Sequence, residues 1–418
     1  MMSLWDALRM NMMISYQELV RTFPNIAWFI PQLIEGSGGH RTMLQHAAYL
    51  EKMGHTCTIF LEDKSGKTSG AEVIHKLFGL KFKDVIYDWN NAQPCDAAVA
   101  TIWYSAPFVA ALPFDCKRLY FVQDFEAYFN PVGDAYLMAE NSYCYGLKPI
   151  TIGRWLRYKL QNDFAVESYH FEFGANHNIY KRVPTIQKEK AVCFIYQPDK
   201  PRRCSRIGIE ALGIVKHCMP DVKIYLYGSS INDNLWFEHE NLGLLDLPKC
   251  NELYNKCSVG LCISSSNPSR IPFEMMNAGL PVVEVWRENN LYDFSEDAML
   301  LCKQTPESIA AGIMKILNDA DLAASMSSAG QKFMNGRTLE TETEGFYKAF
   351  NCVMNEQAYT AEVISRSYNK PPFEAPLARP DIANTLTFAH QSLLKRIALR
   401  LPLFVRTPLS ALYFKLKN

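Results

Sequence analysis

The chain has no excess of either charge: 43 lysines and arginines stand against 43 aspartates and glutamates. Without a net field, neither nucleic acid nor an anionic membrane is attracted to it as a whole, and any such affinity has to be local. Its 12 cysteines include no C-x-x-C pair, which removes the zinc knuckle and the dithiol redox motif. Cys193, Cys257 and Cys262 lie in apolar strand-like runs and read as buried thiols of a reducing compartment. No apolar run reaches the roughly 18 residues of a membrane span, and Asp6, Arg9, Glu18 and Arg21 interrupt any signal-peptide core. A cytoplasmic protein is the expectation. Gly-x-Gly-x-x-Gly is also missing, since the third position counted from Gly36 falls on Arg41. No dinucleotide cofactor is therefore expected.

What is present reads as two α/β halves. A chain of 418 residues exceeds one typical core. Asn25 to Ile34 forms an apolar run, then come Gly36, Gly38 and Gly39, then a helical pattern from Thr42 to Met53. Strand, glycine-rich loop and helix open a nucleotide-binding domain, with glycines letting backbone approach a ligand. Further strands are expected over 56–61, 96–102, 117–122, 149–152 and 167–173, and a helix over 154–164. Trp103 and Tyr104 follow the 96–102 strand and either stack on a sugar or pack. Gln123, Asp124 and Glu126 follow the 117–122 strand. A D-x-E there either holds a divalent cation, caps the next helix, or serves an acceptor without metal. The first of these requires a single-sheet protein and leaves the second half of the chain unexplained, so no metal is expected.

The polar stretch from Pro184 to Lys190 marks a boundary, giving domains 1–185 and 186–370. Strand, turn and helix recur over 191–217, and Arg202 and Arg203 lie where this domain's first loop meets the cleft. Their guanidiniums suit a diphosphate, which they can grip bidentately. Another strand, 222–227, exits through Gly228. Val259 to Ile263 then leads into the polar loop Ser264 to Arg270, and a helix follows with Pro272 at its first position. Glu274 is an acid among apolar neighbours in that helix's first turn. It either complements the helix dipole or binds a ligand at the carboxyl end of the sheet. Helices are expected over 306–317, 322–333 and 340–355.

Beyond them, Pro371, Pro372, Pro376 and Pro380 mark a linker, and residues 371–418 form a separate tail. From Ile382 to Asn418 the tail carries Lys395, Arg396, Arg400, Arg406, Lys415 and Lys417, interleaved with apolar residues and no acid. A basic amphipathic helical tail either lies on an anionic membrane or packs on its own protein.

FVQDFEAYF, AYLMAENSYCYG, PRRCSRIGIEAL, LGLLDLPKCNELYNKCSVGL and NPSRIPFEMMNAGLPVV together resemble bacterial rhamnosyltransferases of the WsaF type in glycosyltransferase family 4. The resemblance implies a GT-B fold, two Rossmann-like doubly wound domains facing a cleft. It also implies a dTDP-L-rhamnose donor, retention, no metal and a cell-envelope glycan or lipid-linked glycan as acceptor. Glu274 would hold the nucleotide's sugar, Arg202 and Arg203 the diphosphate, and Gly38 and Gly39 the transferred sugar. Gln197, Gly228, Leu244, Pro268, Ser269, Arg270, Ile271 and Pro272 complete the implied donor side. Trp103, Tyr104, Gln123, Asp124 and Glu126 make the acceptor side, with Asp124 and Glu274 as the catalytic pair. Three positions depart from the pattern: Ser266 stands where relatives carry another Glu, Gln197 where many carry Arg, and Leu244 where some carry Lys. A non-catalytic module binding nucleotide or glycan within a synthesis complex is the competing reading.

Overall fold

Short apolar runs alternating with amphipathic segments build two parallel sheets, because strands buried on both faces need helical crossovers to cover them. The computed structural model describes residues 23–63, 68–231, 233–357 and 363–375. All described residues up to Glu374 belong to one compact unit.

The first sheet has seven strands: β1 (Asn25–Ile30), β2 (Thr56–Leu61), β3 (Asp84–Tyr87), β4 (Ala97–Ala100), β5 (Lys117–Val122), β6 (Lys148–Ile152) and β7 (Tyr169–Phe171). They run in the order β3-β2-β1-β4-β5-β6-β7. The second has β8 (Ala191–Ile195), β9 (Lys223–Tyr227), β10 (Glu240–Asn241), β11 (Val259–Leu261), β12 (Val282–Val285) and β13 (Met299–Cys302), in the order β10-β9-β8-β11-β12-β13. Each order reverses between its first and fourth strands, and the crevices outside β1/β4 and β8/β11 are where such sheets bind ligands.

The helices are α1 (Gly38–Lys52), α2 (Gly70–Phe78), α3 (Ser105–Ala110), α4 (Asp134–Asn141), α5 (Arg154–Phe164), α6 (Ser205–Cys218), α7 (Leu247–Lys256), α8 (Arg270–Asn277), α9 (Pro306–Asn318), α10 (Ala320–Met334) and α11 (Leu339–Met354). α11 starts with a capping box at Thr338 and Thr341. It returns to the first sheet, where Phe346 packs against Trp28, Phe121 and Phe171. Two Rossmann-like sheets with a crossover helix make the expected GT-B architecture.

Three expectations need correction. α1 begins at Gly38, not Thr42, because Ser37 caps it by accepting from the His40 N–H; the glycines are thus helix-start residues rather than loop. α8 begins at Arg270 with Ser269 as its cap, so Pro272 stands third. That position is still among the first four, whose N–H groups have no partner within the helix. The proline-rich segment expected to start a free linker at Pro371 instead lies on the second sheet's edge. Phe373 donates its N–H to Leu301 O at 2.9 Å and accepts from Lys303 N at 3.0 Å. The basic tail, 382–418, lies outside the described residues. Among the described residues no helix is long and apolar enough to cross a membrane.

Candidate active site

The loops that leave the carboxyl ends of β5, β8 and β11 converge. Asn267 donates its Nδ2 to Gln123 O at 2.7 Å, tying the second domain's loop to the first domain's. Ser265 donates to the Arg202 carbonyl through its N–H (3.0 Å) and its hydroxyl (3.2 Å), which ties the loops after β8 and β11 together. Across the cleft, Arg202 Nε lies 3.8 Å from Asp124 Oδ2, and its guanidinium sits over the Phe129 ring at 4.4 Å.

This corner holds polar atoms with nothing in the protein to satisfy them. Arg203 Nε and Nη1, Ser266 Oγ, Asn267 Oδ1 and Asp124 Oδ1 are buried without a hydrogen-bond partner. Buried donors left unmade are costly, so a cluster of them at one place points to a ligand. Burial raises the Asp124 carboxyl above its ordinary range while Arg202 pulls it back. The Arg202 guanidinium is itself pushed down by burial and supported by Asp124.

Glu274 is half-buried on α8. Burial raises it to about 7, opposed first by Arg270 and then by the Tyr180 hydroxyl and Arg41. Glu284, inside the apolar strand β12, is pushed up by burial to about 8. Its Oε1 accepts from Ser264 N at 3.1 Å and Val285 N at 2.8 Å, which holds the start of the Ser264–Asn267 loop from below.

Other expected site residues are committed elsewhere. Arg270 clasps Glu342 of α11 and is an interdomain clamp rather than a free donor contact. Glu126 is 4% exposed, its Oε2 accepting from Trp103 N at 2.5 Å and Tyr120 OH at 3.1 Å. It shapes the loop after β4 instead of facing an acceptor, and burial raises it to about 8. Tyr104 stacks on Trp89 and donates to Glu62 at 2.8 Å, so it packs. Trp103 lies edge-on against it.

The remaining positions divide between the mouth and the floor of the cleft. Gly39 faces the Gln123 side chain, and a Cβ at Gly38 would meet nothing within 4 Å, so both glycines leave the mouth open. Gln197 donates to Gly228 O at 3.3 Å. Gly228 has φ +98°, and a Cβ there would come 2.4 Å from Ile195. Pro268 and Pro272 are buried, Ile271 is half-buried, and Leu244 is 60% exposed before α7. Among the described residues no cluster of three or more His, Cys, Asp or Glu is arranged to hold a metal.

Sequence reasoning missed Glu284 and Glu342. A lone acid inside VVEV was the available signal for the first. Glu342 carries no local pattern.

Residues 190–314 match the family of the WsaF C-terminal domain. Over 333 residues the chain is 27% identical to the O-antigen biosynthesis protein RfbC of Myxococcus xanthus, covering 70% of this chain and 26% of that protein. The chain thus spans about a quarter of that relative's length. Among solved structures, HepE of Anabaena in complex with UDP and glucose superposes with a TM-score of 0.60 at 14% identity, covering 78% of this chain and 99% of that one. A TarM variant of S. aureus, in complex with fondaparinux, alpha-GlcNAc-glycerol and UDP, gives 0.63 at 12% identity, covering 79% and 100%. The two parallel sheets and their likeness to these solved structures give the chain the GT-B fold, and the second of the sheets lies in a segment similar to the WsaF C-terminal domain.

Proposed function

We propose that the chain is a glycosyltransferase of polysaccharide biosynthesis, moving a sugar from a nucleoside diphosphate to a cell-envelope glycan. The observation that carries this is Arg203, whose buried Nε and Nη1 have no partner, beside Arg202 at the base of the cleft. A diphosphate supplies the acceptors those groups lack.

In this reading the diphosphate sits on the loop after β8 and near the N-terminus of α8, whose dipole favours an anion. Fixed cations stabilise charge as the diphosphate leaves, and the sugar passes through an oxocarbenium-like state. Glu274 accepts from a hydroxyl of the nucleotide's sugar. Asp124, reaching from the first domain to within 3.8 Å of Arg202, stands where transferred sugar and acceptor meet.

L-rhamnose from dTDP-L-rhamnose, transferred with retention and without metal, is the specific form of the proposal, and it rests on the motif resemblance. The basic tail would hold the enzyme on an anionic inner membrane surface. Purified protein mixed with dTDP-L-rhamnose or UDP-sugars and an envelope-glycan acceptor tests it. Transfer with dTDP-L-rhamnose supports the whole reading. Turnover with a UDP-sugar alone overturns the rhamnose assignment, and nucleotide binding with neither transfer nor donor hydrolysis overturns the catalytic one.

A further inference from the structure

The carboxamide of Asn267 faces two ways. Asn267 lies in the loop from β11 to α8 and is 3% exposed. Its Nδ2 reaches the first domain, where it donates to Gln123 O at 2.7 Å. A carbonyl oxygen only accepts, so this contact fixes which end of the carboxamide is the NH₂. Oδ1 is left at the other end, buried and without a partner in the protein.

The residues around Asn267 hold it in that orientation. Ser264 is pinned at both backbone groups from the β12 side: its N–H donates to Glu284 Oε1 at 3.1 Å, and its carbonyl accepts from Asn289 Nδ2 at 3.0 Å. Ser265 is fastened to Arg202 O by its N–H and its hydroxyl. Pro268 comes next in the chain, and a proline ring restricts the backbone of the residue before it. The asparagine is therefore held in place by bonds to two other loops, while its Oδ1 has a bond still to make.

We propose that Asn267 is a specificity-determining contact for the transferred sugar: Nδ2 stays on the Gln123 carbonyl while Oδ1 accepts from one of the sugar's hydroxyls. The proposal rests on the nucleotide-sugar reading given above. An amide oxygen accepts only, so it suits a hydroxyl and not the oxygens of a diphosphate, for which Arg203 has donors to spare. The Gln123 carbonyl belongs to the peptide group that leads into Asp124. Its side chain faces the start of α1, where a Cβ at Gly39 would lie 3.8 Å from Gln123 Oε1. Asn267 therefore meets a ligand at the first domain's wall of the cleft, beside Asp124, where the reading above sets the transferred sugar. A sugar lacking a hydroxyl at the contacted carbon leaves Oδ1 buried and unmet, and that penalty is what makes the contact selective.

The test is calorimetric titration of the full chain with matched pairs, dTDP against dTDP-L-rhamnose and UDP against UDP-glucose, for wild type, Asn267→Ala and Asn267→Val. Valine occupies much of the asparagine's volume without its polar atoms, so the loss is read with and without a cavity. The bare nucleotide carries the base, the ribose and the diphosphate, which makes it the control for folding and for every contact except the sugar's. Wild type should bind one intact donor more tightly than its nucleotide. Both variants should keep the nucleotide affinity while binding that donor about tenfold more weakly, the scale of one hydrogen bond. Variants that bind nucleotide and donor as wild type does, or that lose both alike, overturn this inference alone, as does a wild type with no preference for either intact donor. If wild type binds none of the four, the functional reading falls and the inference with it.

Discussion

Arg270 donates through Nη1 and Nη2 to the two carboxylate oxygens of Glu342, at 2.6 and 2.8 Å. Arg270 opens the helix that carries Glu274, and Glu342 lies on the helix that returns to the first domain. The same carboxylate accepts from Gly174 N at 2.7 Å, and Arg270 Nη1 also donates to Gly174 O at 2.8 Å. Both chain crossings between the domains are thereby fastened to one ion pair. His46 of α1 lies 3.4 Å from Glu342, and burial holds its imidazole below the ordinary value.

Breaking this clamp should be severe. Glu342 has a side chain 1% exposed, so Arg270→Ala leaves a buried carboxylate without its partner, at a cost of about 3–5 kcal/mol. Urea unfolding of Arg270→Ala and Glu342→Gln measures it. The glutamine variant should lose less, because the Arg270 guanidinium it leaves without a counter-charge is 20% exposed and still donates to Gly174 O.

Stability should pass through a maximum on the mildly acidic side of neutrality. The Arg270 guanidinium and His46 hold Glu342 at about 2 despite burial, so its contribution is present above the unfolded value and lost as pH falls toward 2. Burial raises Glu126 and Glu284 to about 8 and Glu274 and Asp293 to about 7. These four bind protons more tightly when folded, so their contributions are largest below the unfolded carboxyl range and disappear as pH rises through 7 and 8. Burial lowers His40, His46 and His55, so their contributions are lost as pH falls below the ordinary imidazole value, and thermal midpoints should peak between about pH 5 and 7 and fall on both sides. A midpoint still rising from pH 6 to 8 would contradict this account.

Arg203→Ala should weaken nucleoside diphosphate binding by about 10- to 100-fold, the range of one or two charge-assisted hydrogen bonds. Its Nε and Nη1 have no partner in the protein, so the thermal midpoint of the unliganded variant should hold or rise. Calorimetry with dTDP and a melting curve check both halves of the prediction.

Chelation should leave turnover intact. Glu126 Oε2 is committed to the Trp103 N–H and the Tyr120 hydroxyl, which turns the D-x-E away from joint chelation with Asp124. Activity lost in EDTA and restored by Mn²⁺ would reverse that assignment.

Much of the fold was legible because its signals are local. α5 was expected over 154–164 and spans Arg154–Phe164; β2 and β5 have their expected bounds too. β3, β10 and β13 were not read as strands. The start of α1 was misplaced because two adjacent glycines read as loop, whereas Ser37 caps the helix ahead of them. Within the site, Arg202, Arg203 and Asp124 stand in loops that the order of strands places at a cleft, whereas Glu274, expected in the first turn of its helix, stands fifth in α8 because the helix starts two residues earlier.

The alternation of apolar runs and caps, read alone, determined the two parallel sheets, the position of the cleft and the charged residues lining it, since each of those follows from neighbours within a few positions. Tertiary structure alone decided which of these residues are paired within the protein and which are left with unmet hydrogen bonds. Arg270 and Glu342 are 72 positions apart, and Asn267 and Gln123 are 144 apart. Partners so distant in the chain leave no periodicity or spacing behind; they meet only when the sheets are packed. Packing turned Arg270 into a clamp and Glu126 into a buried brace, while leaving Arg203 with hydrogen bonds still to make.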